Sequence, residues 1–169
     1  MRRYLVVANQ TLGSEHLNMK LAECMAAGPC QFYLVVPATQ INEYEPVPDL
    51  PYALSGVDGG AGMIPDPSGV ARALAGRHLQ RELDRLREAG AHADGEVGDP
   101  KPLKAIRTAL KDHTVDEIIV STMPHHVSRW LAMDLPHRID RTFGLPVTHI
   151  SGPPGPPALE PRPGGWATL

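Results

Sequence analysis

Short apolar runs alternate along the chain with longer segments whose apolar residues recur at helical spacing, a pattern that predicts a β/α fold. Tyr4-Leu5-Val6-Val7-Ala8 is continuous and rich in β-branched residues, as expected of a strand buried on both faces of a parallel sheet. Leu17, Leu21 and Met25 then fall at four-residue steps, with Ser14 placed to cap a helix and Gly28-Pro29 to stop it. Gln31 to Val36 repeats the strand pattern and ends at Pro37, which completes a right-handed β-α-β unit.

From Pro37 to Pro67 the sequence turns rich in proline and glycine, with Pro46-Val47-Pro48, Gly59-Gly60-Ala61-Gly62 and Pro65-Asp66-Pro67. Such a length without regular structure reads as an insertion, centred near 43–66, that either covers a site or decorates the fold. A long helix follows, with Ser68 as its cap and Val70, Leu74, Leu83 and Leu86 on one face. Its charged run, Arg81 to Glu88, reads as solvated. Ala91 to Val97 is a weak strand, suited to a sheet edge. A further helix opens at Pro100 to Pro102, with Leu103, Ile106 and Leu110 as its apolar stripe.

Glu117-Ile118-Ile119-Val120-Ser121 is the clearest central strand and leads into a polar loop, Thr122 to Val127. A last helical segment begins near Ser128, with Trp130, Leu131, Leu135, Ile139 and Phe143 on its apolar face. Pro136 is expected to kink or divide it. Pro146 to Ile150 forms the final strand. The expectation is one α/β domain over residues 1–151, Rossmann-like and doubly wound on a mostly parallel five-stranded sheet with helices on both faces. The Pro/Gly-rich tail 152–169 is extended or disordered, being too sparse in apolar residues to fold alone.

Composition narrows the function. A formal charge of −3 and a pI near 6.2 leave no basic footprint, which argues against nucleic acid and anionic membranes as partners. The apolar run after Met1-Arg2-Arg3 is too short for a signal peptide or a spanning helix. Cys24 and Cys30 fit neither a CxxC pair nor a zinc knuckle and read as reduced thiols, so a cytoplasmic location is expected.

Ligands of doubly wound sheets sit beyond the carboxyl ends of the strands, where the strand order reverses. That rule places the candidate site at Asn9 to Thr11 after the first strand, at Pro37 to Gln40 after the second, and at Ser121 to Arg129 after the fourth.

Several motifs occur in a telling order: Val7-Ala8-Asn9 with Gly13-Ser14-Glu15-His16, then Gly98-Asp99-Pro100, then Glu117-Ile118-Ile119-Val120-Ser121-Thr122. Ser128-Arg129-Trp130-Leu131 and Leu145-Pro146-Val147 complete the series. In that order, over residues 4 to 150, the chain resembles the universal stress proteins. The resemblance implies sheet order 3-2-1-4-5, a role in stress response, ATP or AMP as ligand, and a homodimer through the last strand, Val147 to Ile150. It also meets a departure. The family's nucleotide-binding glycine motif, G-x-x-G-x(9)-G-[S/T], is replaced here by Ser121, Pro124, Met133 and Asp134. Proline has no amide hydrogen to offer a phosphate, Met133 adds bulk, and Asp134 adds negative charge.

The densest chemistry in the candidate site is Thr122-Met123-Pro124-His125-His126-Val127-Ser128-Arg129. His125, His126 and Arg129, with the amides near Ser128, are suited to hold an anion by charge and hydrogen bonding in place of the lost glycines. Against this stands a plainer reading, in which Ser128 caps a helix and both histidines are solvated. A metal site from His125, His126, Asp134 and His137 is disfavoured by the adjacent histidines and by Pro136. A Ser128-His-Asp134 triad lacks a G-x-S-x-G elbow. Gly59 to Gly62 lacks the Lys-Ser/Thr of a P-loop.

Two expectations therefore compete. One is a non-catalytic small-molecule binding or regulatory domain for an adenine nucleotide or other anion, using Asn9, Val36, Ser121, Thr122, His125, His126, Ser128 and Arg129, with no metal. The other is a degenerate relative that binds no nucleotide and works as a dimeric protein-interaction module.

Overall fold

The computed structural model describes residues 1–38, 67–124 and 134–155. Nine elements run β1 (Arg2–Val7), α1 (Glu15–Ala26), β2 (Cys30–Pro37), α2 (Pro67–Glu88), β3 (His92–Gly98), α3 (Pro102–Asp112), β4 (Glu117–Thr122), α4 (Leu135–Phe143) and β5 (Val147–Ser151) among the described residues. The sheet has five strands in the order β3-β2-β1-β4-β5, and every pairing is parallel. Strand order therefore reverses between β1 and β4, as expected of a doubly wound fold.

Burial of both faces explains the unbroken apolar strands. Tyr4, Val6 and Ala8 pack with Phe32, Leu34, Val36 and Ile119 beneath α1 and α2. Leu5 and Val7 pack with Val35, Ile118 and Val120 beneath α3 and α4. Successive side chains of a strand point to opposite faces, so each strand feeds both cores. A large apolar side chain wholly removed from water contributes about 1.5–3 kcal/mol.

Several elements differ from the sequence expectation. α2 begins at Pro67, so Ser68 lies in its first turn and is not its cap. The buried face of α2 is Ala71, Ala75, Leu79, Leu83 and Leu86, while Val70 and Leu74 are only half-buried. The alanines let α2 lie close to the sheet, and a Cβ at Gly95 of β3 would meet the Leu34 backbone and the Leu79 side chain. The charged run is not wholly solvated either. Glu82 is 3% exposed because it falls on the same helical face as Leu79 and Leu86. Its carboxylate accepts from Arg85 at 3.0 and 2.5 Å. Arg85 also donates to the Asn18 side chain at 2.7 Å, and Asn18 donates to the Gly13 carbonyl at 3.1 Å. A charged link thus joins α2 to the loop before α1.

Pro136 stands in the first turn of α4, where its missing N–H costs nothing, and the part of the expected helical segment from Ser128 to Met133 lies outside the described residues. The residue before α4, Asp134, is left-handed (φ 52°) and makes no capping hydrogen bond with its side chain. The sheet edges are β3 and β5, with β3 at an edge as its weak pattern implies. The residues at 43–66, at 125–133 and beyond 155 lie outside the described part, and with them Trp130, Leu131 and most of the tail. Among the described residues no helix is long and apolar enough to cross a membrane.

Candidate functional site

The carboxyl ends of β1 and β4 frame the reversal point, and the chain after β1 is tightly organised. Leu12 N–H donates to the Asn9 carbonyl and Ser14 N–H to the Thr11 carbonyl, each at 3.0 Å, and Gly13 takes φ 76° to complete the turn. Ser14 caps α1, its hydroxyl accepting from Leu17 N–H at 3.4 Å. The Asn9 side chain donates to the Pro37 carbonyl at 2.9 Å and so ties this loop to the end of β2. From α2, the His78 ring hydrogen-bonds to the Asn9 backbone. Burial pushes the His78 pKa down, and the charge of Arg81 adds to that, while the bond to Asn9 acts in the opposite direction.

The residues expected in the site divide into three groups. Asn9, Ser121 and Thr122 gather at the ends of β1 and β4. Val36 is wholly buried in the core under α1 and α2, at the end of β2. His125, His126, Ser128 and Arg129 lie outside the described residues.

The hydroxyls within the first group are not equivalent. Thr122 Oγ1 is engaged with His149 Nε2 of β5 at 2.7 Å. Ser121 is 1% exposed and its Oγ has no hydrogen-bond partner. Thr11 is likewise 1% exposed, and its Oγ1 is also unpartnered. Buried polar groups in native proteins are nearly always satisfied, so two orphaned hydroxyls, one on each side of the reversal point, are unusual.

Sequence reasoning gave no part in the site to His78 or to the backbone contacts of the residues after β5. Gly152 N–H donates to the Thr122 carbonyl at 3.1 Å, and Gly155 N–H to the Gln10 carbonyl at 2.7 Å. The Gly-Pro-Pro-Gly run 152–155 therefore lies against the loop between β1 and α1. Thr11 fell inside the loop named by the strand-end rule, and the paired glycines in the tail were the available signal for the contact.

Among the described residues no group of three or more His, Cys, Asp or Glu side chains is placed to hold a metal ion. Cys24 and Cys30 are buried, unpaired thiols, and burial pushes the Cys30 pKa up. No family model and no curated protein matches the chain.

Proposed function

We propose that the chain is a non-catalytic small-molecule binding domain of the universal stress protein kind, with its ligand seated beyond the carboxyl ends of β1 and β4. The observation that carries this reading is the pair of buried, unpartnered hydroxyls, Thr11 Oγ1 and Ser121 Oγ, flanking the point where strand order reverses. A buried hydroxyl without a partner costs about 1–3 kcal/mol, which a ligand bearing hydrogen-bonding oxygens or nitrogens offsets. An adenine nucleotide such as ATP or AMP, or another anion, has that chemistry. The buried free thiols agree with a cytoplasmic setting.

Thermal unfolding with excess ATP, ADP, AMP and inorganic phosphate tests the reading. A ligand at about a hundred times its Kd stabilises by about 2.7 kcal/mol. For a domain of this size that is a rise of about 5–10 °C in Tm. The rise is expected with at least one nucleotide and is lost in Ser121→Ala. No rise with any of the four overturns it.

A second reading is favoured by one separate observation. The outer edge of β5 pairs with no other described strand, and Val147 and Ile150 on it are half-buried. Such an edge is suited to a homodimer formed by strand-to-strand contact, with or without ligand. Val147→Glu would then halve the mass seen by light scattering.

A further inference from the structure

The chain after β5 turns back across the sheet. Its first anchor is Gly152 N–H on the carbonyl of Thr122, at the end of β4, and its second is Gly155 N–H on the carbonyl of Gln10, after β1. β4 lies between β5 and β1, so residues 152–155 pass from one wall of the reversal point to the other. Both anchors depend on a missing side chain. A Cβ on Gly152 would overlap the His16 ring, and one on Gly155 would overlap the Leu12 carbonyl. Pro153 and Pro154 between them are exposed and have no N–H to donate, so no amide between the two anchors donates a hydrogen bond.

This crossing lies on the same side of the sheet as Ser121. Ile119 packs under α1 and α2, and Ser121, two residues on, shares its face. Gly152 rests against His16 at the start of α1. The two unpartnered hydroxyls are both almost wholly removed from solvent. A ligand therefore reaches them only if a covering segment moves, and residues 152–155 span the two walls with few ties.

We propose that Gly152-Pro153-Pro154-Gly155 is a displaceable strap that gates the crevice between β1 and β4, resting on the reading of that crevice as a ligand site. Docked, the strap shuts Thr11 and Ser121 away with their hydroxyls unsatisfied. Undocked, it opens them to a ligand whose polar atoms complete their hydrogen bonds. Ligand binding and strap docking are then mutually exclusive, and the apparent affinity is lowered by the fraction of molecules in which the strap is closed.

The test uses the full chain and Gly155→Val, whose Cβ forbids docking, with Gly155→Ala as a milder form. Amide hydrogen exchange at Gly152 and calorimetric titration with ATP, ADP and AMP are measured on wild type and both variants. The variants are expected to exchange faster at Gly152 and to bind the nucleotide about tenfold more tightly. Adding Ser121→Ala should abolish the gain. Faster exchange with affinity unchanged or weakened overturns the strap as a gate while leaving the crevice as a ligand site. Unchanged exchange in both variants overturns it as displaceable. Failure of wild type and variants alike to bind any of the three overturns the ligand site and the gate together.

Discussion

His149 Nε2 lies 2.7 Å from Thr122 Oγ1, a contact that ties the edge strand β5 to the end of β4 beside the candidate site. Burial lowers the His149 pKa, and burial foremost also lowers that of His78. Both rings therefore bind a proton less readily in the folded chain than in the unfolded one. Their contribution to stability is fully present above the unfolded pKa, about 6.5, and is lost as pH falls below it. Urea unfolding between pH 7.5 and 5 should show a falling midpoint, and His149→Gln should flatten part of that fall. A midpoint that holds steady across the range would contradict it.

The unsatisfied hydroxyls predict an inversion of the usual effect of core substitutions. Ser121→Ala removes an acceptor and donor that no group answers. It should leave the ligand-free protein as stable as before or raise its stability by about 1 kcal/mol, by denaturant titration. Thr11→Val should act in the same direction. A loss above about 1 kcal/mol in either would mean that the hydroxyl has a partner in solution.

Glu82 and Arg85 predict an asymmetry. The carboxylate is almost completely buried, whereas the guanidinium is partly exposed. Arg85→Ala strands a buried charge and should cost about 3 kcal/mol, while replacing both residues by leucine should cost much less. A double-mutant cycle by urea unfolding measures the difference, and equal losses would contradict the prediction.

Asp134 holds a left-handed conformation without a capping bond from its side chain. Glycine adopts that conformation freely, so Asp134→Gly should stabilise by about 1 kcal/mol. Thermal unfolding reads this as a rise of about 2–4 °C, and a fall would show that the carboxylate is used in solution.

Strands buried on both faces were readable from the sequence because each residue of Tyr4 to Ala8 or Ile118 to Val120 had to be apolar. β3 gave a weak signal because an edge strand has less to bury, and its glycines at 95 and 98 answer to close backbone and alanine neighbours rather than to a pattern. Leu83 and Leu86 marked α2, but Ala71 and Ala75, which complete its buried face, leave no mark in a hydrophobic stripe. Glu82 was hidden inside a run of like residues, since only the helical phase distinguishes it from Glu88. Asn9, Ser121 and Thr122 followed from strand ends alone. The Gly152 and Gly155 contacts could not, because two backbone carbonyls in distant loops receive them, and no periodicity encodes that.

The two rims of the sheet are chemically unlike. Along β3 the outward positions include exposed His92 and Asp94, with Glu96 on the same face as Asp94, while β5 offers Val147, Thr148 and Ile150. A second copy added at β5 would leave two charged β3 rims at the far ends of a ten-stranded sheet, the sum of two five-stranded ones. Charged side chains along those rims, Asp94 with its Arg87 partner among them, would disfavour the addition of a third copy. Were copies to pair at β5 as proposed, growth by strand addition would be one-sided and stop at a pair, which separates self-recognition at one rim from the open-ended stacking that leads to fibres.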